Sequence, residues 1–81
     1  MKIKVVMFAV ARDMINESSV ELELSDSATV GDLKQALTSQ YPKLNEIVLR
    51  SAFSVNHEYA LDQTKLTENV EVALIPPVSG G

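Results

Sequence analysis

Two glycines, Gly80 and Gly81, occupy the last two positions of the 81-residue sequence, behind the run Ile75-Pro76-Pro77-Val78-Ser79. At a glycine usage of about 7%, chance puts a pair in those two places in roughly 0.5% of chains, so the ending is worth reading as a device. Glycine has no Cβ, so a Gly-Gly tip passes through a channel too narrow for other residues and leaves its terminal carbonyl open to attack. The two prolines fix φ and favour an extended path, so the six residues from Pro76 could hold a carboxylate roughly 20 Å from the body of the protein. A carboxylate is a poor electrophile until one oxygen becomes a leaving group, for example by adenylation with ATP. The chemistry this ending suits is therefore acyl activation and transfer at Gly81. A frayed terminus and an appended vector segment are the plain alternatives.

Little else in the chain competes for a chemical role. There is no cysteine, which removes disulfides, thiolate metal sites, thiol nucleophiles and persulfides on the protein's own side chains. The single histidine, His57, lies in a turn-forming stretch with no Cys, His or Ser partner set near it in sequence, and reads as a solvent-exposed turn residue. The carboxylates are scattered, with Glu21 and Glu23 on the wet side of a strand, and Lys34 falls on the polar side of a helix as a solvating residue. No phosphate loop, metal-ligand cluster or nucleophile triad is present. A net charge of −4 argues against nucleic acid, whose affinity depends on Lys and Arg displacing counterions. The opening Met1 to Ala11 has a basic end, an apolar run and an Ala-x-Ala, like a signal peptide. Cleavage there would remove the best strand in the sequence, so that reading is rejected. No stretch approaches the roughly 20 apolar residues of a membrane span, and the expected location is cytoplasmic.

The elements that must carry the tail follow from periodicity. Residues 2–10 read as a central strand: Ile3, Val5 and Met7 alternate with Lys2 and Lys4 before the run turns apolar on both sides. Residues 19–25 alternate more strictly and predict a strand with one wet face, joined to the first by a long loop over Arg12 to Ser18. Thr29 and Asp32 make a box-like helix start. Val30, Leu33, Leu37 and Tyr41 follow at helical spacing as far as Pro42, and Leu44, Ile47 and Val48 suit a short second helix. Ala52 to Asn56 reads as a strand ending in the turn Asn56-His57-Glu58; Tyr59 to Leu66 has no clear pattern. Val70 to Ile75 is the last strand, stopped by Pro76-Pro77. The order predicts an α+β roll, a mixed sheet of about five strands with one main helix on one face. If that helix covers Val5, Val72 and Leu74, the opposite face shows Val6, Phe8, Val10, Ala73 and Ile75, an apolar patch of the kind that marks a protein interface. Burial of that patch under residues 43–49 is the other reading.

The segment Glu71-Val-Ala-Leu-Ile-Pro-Pro-Val-Ser-Gly-Gly81 resembles the ending of the small subunits of molybdopterin synthase, in the MoaD/ThiS-type family of ubiquitin-like sulfur carriers. The resemblance covers essentially the whole chain. It includes Lys4-Val-Val-Met-Phe-Ala9 with Arg12, the helix start Ala28-Thr-Val-Gly-Asp-Leu33, Tyr41-Pro42 and Ser54-Val-Asn-His-Glu-Tyr59. The family often has an aromatic pair where this chain has Met7-Phe8, and an Asp-Gly-Asp turn where it has Glu68-Asn69-Val70.

The resemblance implies a ubiquitin-like β-grasp domain over residues 1–75 and an extended diglycine tail over residues 76–81. It implies a carrier that is a non-catalytic subunit of a transferase complex. An E1-like adenylating enzyme would activate the Gly81 carboxylate with ATP, and a sulfur donor protein would convert it to a thiocarboxylate. Pro76, Pro77, Val78, Ser79 and Gly80 would then enter the large subunit of molybdopterin synthase, where the sulfur builds the dithiolene on a cyclic pyranopterin monophosphate. Phe8, Arg12 and Ile75 match positions that the family uses against its large subunit, in a heterotetramer of two small and two large subunits. No cofactor is expected to be bound permanently, and no metal. A ubiquitin-like modifier, a carrier for thiamine or tRNA thiolation, and a binding module with an idle tail are the other readings.

Overall fold

The computed structural model describes residues 1–77. Alternating apolar residues set the faces of its strands. In β1 (Lys2–Met7), Ile3, Val5 and Met7 are buried while Lys2 and Lys4 are exposed, and in β2 (Ser19–Glu23) Val20 and Leu22 turn inward. The two pair antiparallel with Ile3 opposite Leu22. Three further strands, β3 (Ala52–Val55), β4 (Glu58–Tyr59) and β5 (Glu71–Ile75), complete a five-stranded sheet in the order β2-β1-β5-β3-β4. β5 lies parallel to β1 and antiparallel to β3, so the sheet is mixed, as expected. β1 and β5 form its centre and contribute Val5, Val72 and Leu74 to the core beside Phe53.

Among the described residues, three α-helices accompany the sheet. The main one, α2 (Val30–Gln40), buries Val30, Leu33 and Leu37. Its start is a capping box: Thr29 Oγ1 accepts from the Asp32 N–H at 3.3 Å, and Asp32 Oδ2 accepts from the Thr29 N–H at 3.0 Å. The next orphan donors are satisfied from the loop that had no sequence pattern. Val30 N–H donates to the Thr64 carbonyl at 2.9 Å and Gly31 N–H to that of Asp62 at 2.8 Å, which is how a helix start is buried without loss. A Cβ on Gly31 would lie 3.3 Å from the Asp62 carbonyl oxygen, so the loop sits closer than most side chains allow. Thr29→Ala removes one of these bonds and should lower the unfolding free energy by about 1 kcal/mol, read from urea denaturation; no change would mean that the loop contacts alone hold the helix start.

The short helix expected near residue 47 is α3 (Asn45–Arg50), which follows a 3-10 turn at Pro42–Leu44. The remaining helix, α1 (Ala9–Ile15), corrects the sequence reading. The first strand stops at Met7 rather than continuing to residue 10, and the expected long loop is largely helical. The chain turns at Ala9, whose φ is 48°, a left-handed conformation that takes it off the sheet, and Ala11 is buried in the core. Val10 therefore belongs to α1 and not to the open face of the sheet. Lys34 is also not merely solvating. Its Nζ pairs with Asp62 and lies 5.2 Å from the centroid of the Phe53 ring, so it ties α2 to the loop and to the core at once.

The amino group of Met1 closes the other end of the sheet. It donates to the Leu24 carbonyl at 2.6 Å and lies 3.2 Å from a Glu23 carboxylate oxygen and 3.6 Å from one of Asp26. The hydrogen bond to Glu23, assisted by both carboxylate charges and opposed by desolvation, raises its pKa above the ordinary 8.0. A group whose folded pKa is raised stabilises fully below its unfolded pKa and loses that contribution as pH rises through the folded value. For a chain beginning at Met1, the urea midpoint should fall as pH rises above about 8, the ordinary range of an α-amine, and less in Glu23→Gln; equal slopes in the two proteins would remove the ion pair from the account.

Candidate functional site

The face of the sheet turned away from α2 is open, and cross-strand register decides what it shows. Val6 faces Ala73 across the parallel β1–β5 pair, and Ala73 faces Ser54, which faces Tyr59. Side chains directly opposite one another share a face, so this row crosses four strands. Ile75 and Ala52 form the next row toward the end of β5. Phe8, the residue that caps α1, stands beside them at 47% exposure. Together Val6, Phe8, Ser54, Tyr59, Ala73 and Ile75 line a groove of about 350 Å³, with His57 and Glu71 at its polar end. Tyr59 is 78% exposed, a large aromatic surface for an edge strand of two residues.

The far side of the same face is charged. Lys4 sits between Glu21 of β2 and Glu71 of β5, and Lys2 is opposite Glu23. The open face thus grades from ionic at the start of β1 to apolar at the end of β5, where the chain leaves the sheet as Pro76 and Pro77. A hydrophobic centre with a polar rim is the usual composition of a protein interface. Among the described residues no group of three His, Cys, Asp or Glu could hold a metal ion, and no helix is long and apolar enough to cross a membrane.

Of the residues named from sequence, Phe8 and Ile75 meet in this groove. Arg12 is exposed in the last turn of α1, outside the lining. Pro76 and Pro77 follow β5 directly, whereas Val78, Ser79, Gly80 and Gly81 lie outside the described residues. Sequence reasoning missed Ser54, Tyr59 and Glu71 as parts of the groove, because only the register of β3 against β5 and of β4 against β3 puts them there. His57 is 86% exposed in its turn, as expected. The turn is a two-residue hairpin loop in which Asn56 and His57 both have positive φ, 51° and 70°.

Where the sheet ends and what leaves it agree with a family match that spans residues 5–81, to the model of the ThiS family. The chain belongs to the ThiS family. Among curated proteins, the molybdopterin synthase sulfur carrier subunit of Chlamydomonas reinhardtii is 37% identical over 83 residues, covering 100% of both chains. Among solved structures, SAMP1 of Haloferax volcanii, a small archaeal modifier protein, superposes with a TM-score of 0.91 at 28% identity over 100% of both chains. Two more distant likenesses show the fold alone. Helicobacter pylori molybdopterin-converting factor, solved as a complex of subunits 1 and 2, gives a TM-score of 0.72 at 23% identity over 100% of both chains. A ubiquitin from Caldiarchaeum subterraneum gives 0.67 at 21% over 100% of this chain and 98% of its own. The fold of this ThiS-family chain is the ubiquitin-like β-grasp.

Proposed function

We propose that this chain is the sulfur-carrier subunit of a molybdopterin synthase and that the carrier group is the carboxylate of Gly81. The observation that carries the reading is the full-length likeness to a curated sulfur carrier subunit in a chain whose central strand β5 leads directly into Pro-Pro-Val-Ser-Gly-Gly. With no cysteine in the sequence, the terminal acyl group is the one place on the chain that can hold reactive sulfur.

In the cycle, an E1-like enzyme uses ATP to place AMP on a Gly81 carboxylate oxygen, releasing pyrophosphate. The terminal sulfur of a persulfide on the donor protein attacks the acyl carbon and expels AMP, and a second thiol of the donor cleaves the S–S bond of the resulting acyl disulfide, leaving a thiocarboxylate on this chain and a disulfide on the donor. The large subunit of the synthase then receives the tail through its open groove face, with Phe8, Arg12 and Ile75 in contact, and the thiocarboxylate sulfur passes to the cyclic pyranopterin monophosphate. Water restores the carboxylate, and a second delivery completes the dithiolene. A heterotetramer of two small and two large subunits, residence in the cytoplasm, and a body of residues 1–75 with a tail of 76–81 belong to this proposal. The small subunit contributes a reagent and a docking face; acid/base and phosphate-binding groups belong to the partner.

Mass spectrometry of the protein isolated from its cells tests the reading. An oxygen-to-sulfur mass increase confined to the C-terminal peptide is expected. The likeness to a modifier protein favours one other reading, in which Gly81 becomes amide-linked to lysines of other proteins. Isopeptide branches ending in Gly-Gly on such targets, with no thiocarboxylate, would replace the carrier by the modifier.

A further inference from the structure

We infer that His57 is a specificity-determining contact for the protein that receives the tail, held on the rim of the groove at a cost in turn stability. The inference rests on the carrier reading above. A two-residue hairpin loop with positive φ at both positions is the type I′ geometry, whose preferred sequence is Asn-Gly. Asn56 fits its place: its Oδ1 accepts from the Glu71 N–H at 2.9 Å, and its own N–H donates to the Glu71 carbonyl at 2.8 Å. His57 does not fit. At φ 70° its Cβ is strained where glycine would have none. Nothing in the core repays that strain, because the imidazole is 86% exposed.

What the side chain does instead is line the groove. Its Nε2 lies 3.4 Å from Glu71 Oε1, a contact that becomes an ion pair when the imidazole is protonated, and both residues border the groove beside Tyr59 and Ser54. Strained residues that the fold could replace cheaply are found where function needs their side chains. The occupant follows from continuity. β5 forms the floor of the groove and runs into Pro76, so a protein that takes the tail must sit against the surface from which it emerges. Glu71 and His57 lie at the other end of β5, about 13 Å from Ile75 at 3.3 Å per residue, within the span of one ordinary interface. The imidazole and carboxylate there would meet a hydrogen-bond donor or cationic side chain of the partner, and rim contacts of this kind set selectivity between partners.

The test compares the full chain with His57→Gly and His57→Asn, measuring urea unfolding of each and binding to the large subunit of molybdopterin synthase by calorimetry. His57→Gly is expected to unfold at a higher urea concentration and yet bind with a Kd raised roughly fivefold, a rim-sized effect. His57→Asn, which tolerates the backbone and keeps a polar group, should fall between the two. A glycine variant that is more stable and binds as tightly as the native chain would overturn the inference and leave the carrier reading standing. Failure of the native chain to bind the large subunit at all would overturn both.

Discussion

Deleting Gly81 is expected to abolish dithiolene formation while leaving the domain as stable as before. The truncated chain still ends in a glycine carboxylate, so the outcome depends on position rather than on the presence of an acid. Each extended residue spans about 3.5 Å, and in the proposed cycle the new carboxylate stops that far short of the atoms that would adenylate it and later accept its sulfur. Misplacement by about 1 Å already costs on the order of 10²-fold in rate, so a whole residue should leave turnover below detection. The described residues of the domain end at Pro77, beyond the last strand, and loss of a residue four positions further on should alter the unfolding free energy by no more than about 0.5 kcal/mol. The assay needs the large subunit, the adenylating enzyme, ATP, a sulfur donor and the pyranopterin substrate, with unfolding measured in parallel. Cofactor synthesis by the truncated chain at more than a small fraction of the native rate would end the proposal.

The largest effect on stability is expected from Phe53→Ala. Phe53 is 2% exposed, faces Leu74 across the β3–β5 pair and lies under the Lys34 ammonium. Removing a buried phenylalanine ring costs about 3–5 kcal/mol through lost transfer energy and the cavity left behind. A domain of this length has roughly 4–12 kcal/mol in total, so the variant sits near the edge of folding, with Tm lowered by roughly 15–30 °C. Phe53→Leu should lose only about 1 kcal/mol, because most of the volume is kept. A loss below about 1 kcal/mol in the alanine variant would mean that the ring does not pack as described. Both variants leave the tail untouched, so Phe53→Leu should support sulfur transfer at the native rate.

Much of this fold was legible in the sequence because its signals are local. The capping box at Thr29 and Asp32, the helical spacing of Val30, Leu33 and Leu37, and the alternation in β2 and β5 each depend on a few neighbouring residues. The absence of α1 from the sequence reading has a physical cause. Phe8 makes no side-chain cap, the first turn carries no acidic residue, and Val10 and Ala11 prolong the apolar run of β1. The helix forms because Ala11 is drawn into the core, a tertiary reward that no cap announces. Asn69 shows the converse. It adopts φ 68°, a conformation Asn tolerates better than most residues, so the turn before β5 forms at a position that the chain's local pattern did not mark.

What the amino acids alone determined was the range of side-chain chemistry: no thiol anywhere in the sequence, and two glycines, which carry no Cβ, behind two prolines that fix φ. Those properties belong to individual residues and need no neighbours. The open groove face was decided by tertiary structure. Pairing β5 between β1 and β3 joins segments nearly 70 and 20 residues apart in sequence, and only that register puts Ser54, Tyr59, His57 and Glu71 beside Phe8 and Ile75. A period of two says which side of a strand is apolar; it carries no information about which strand lies next to it.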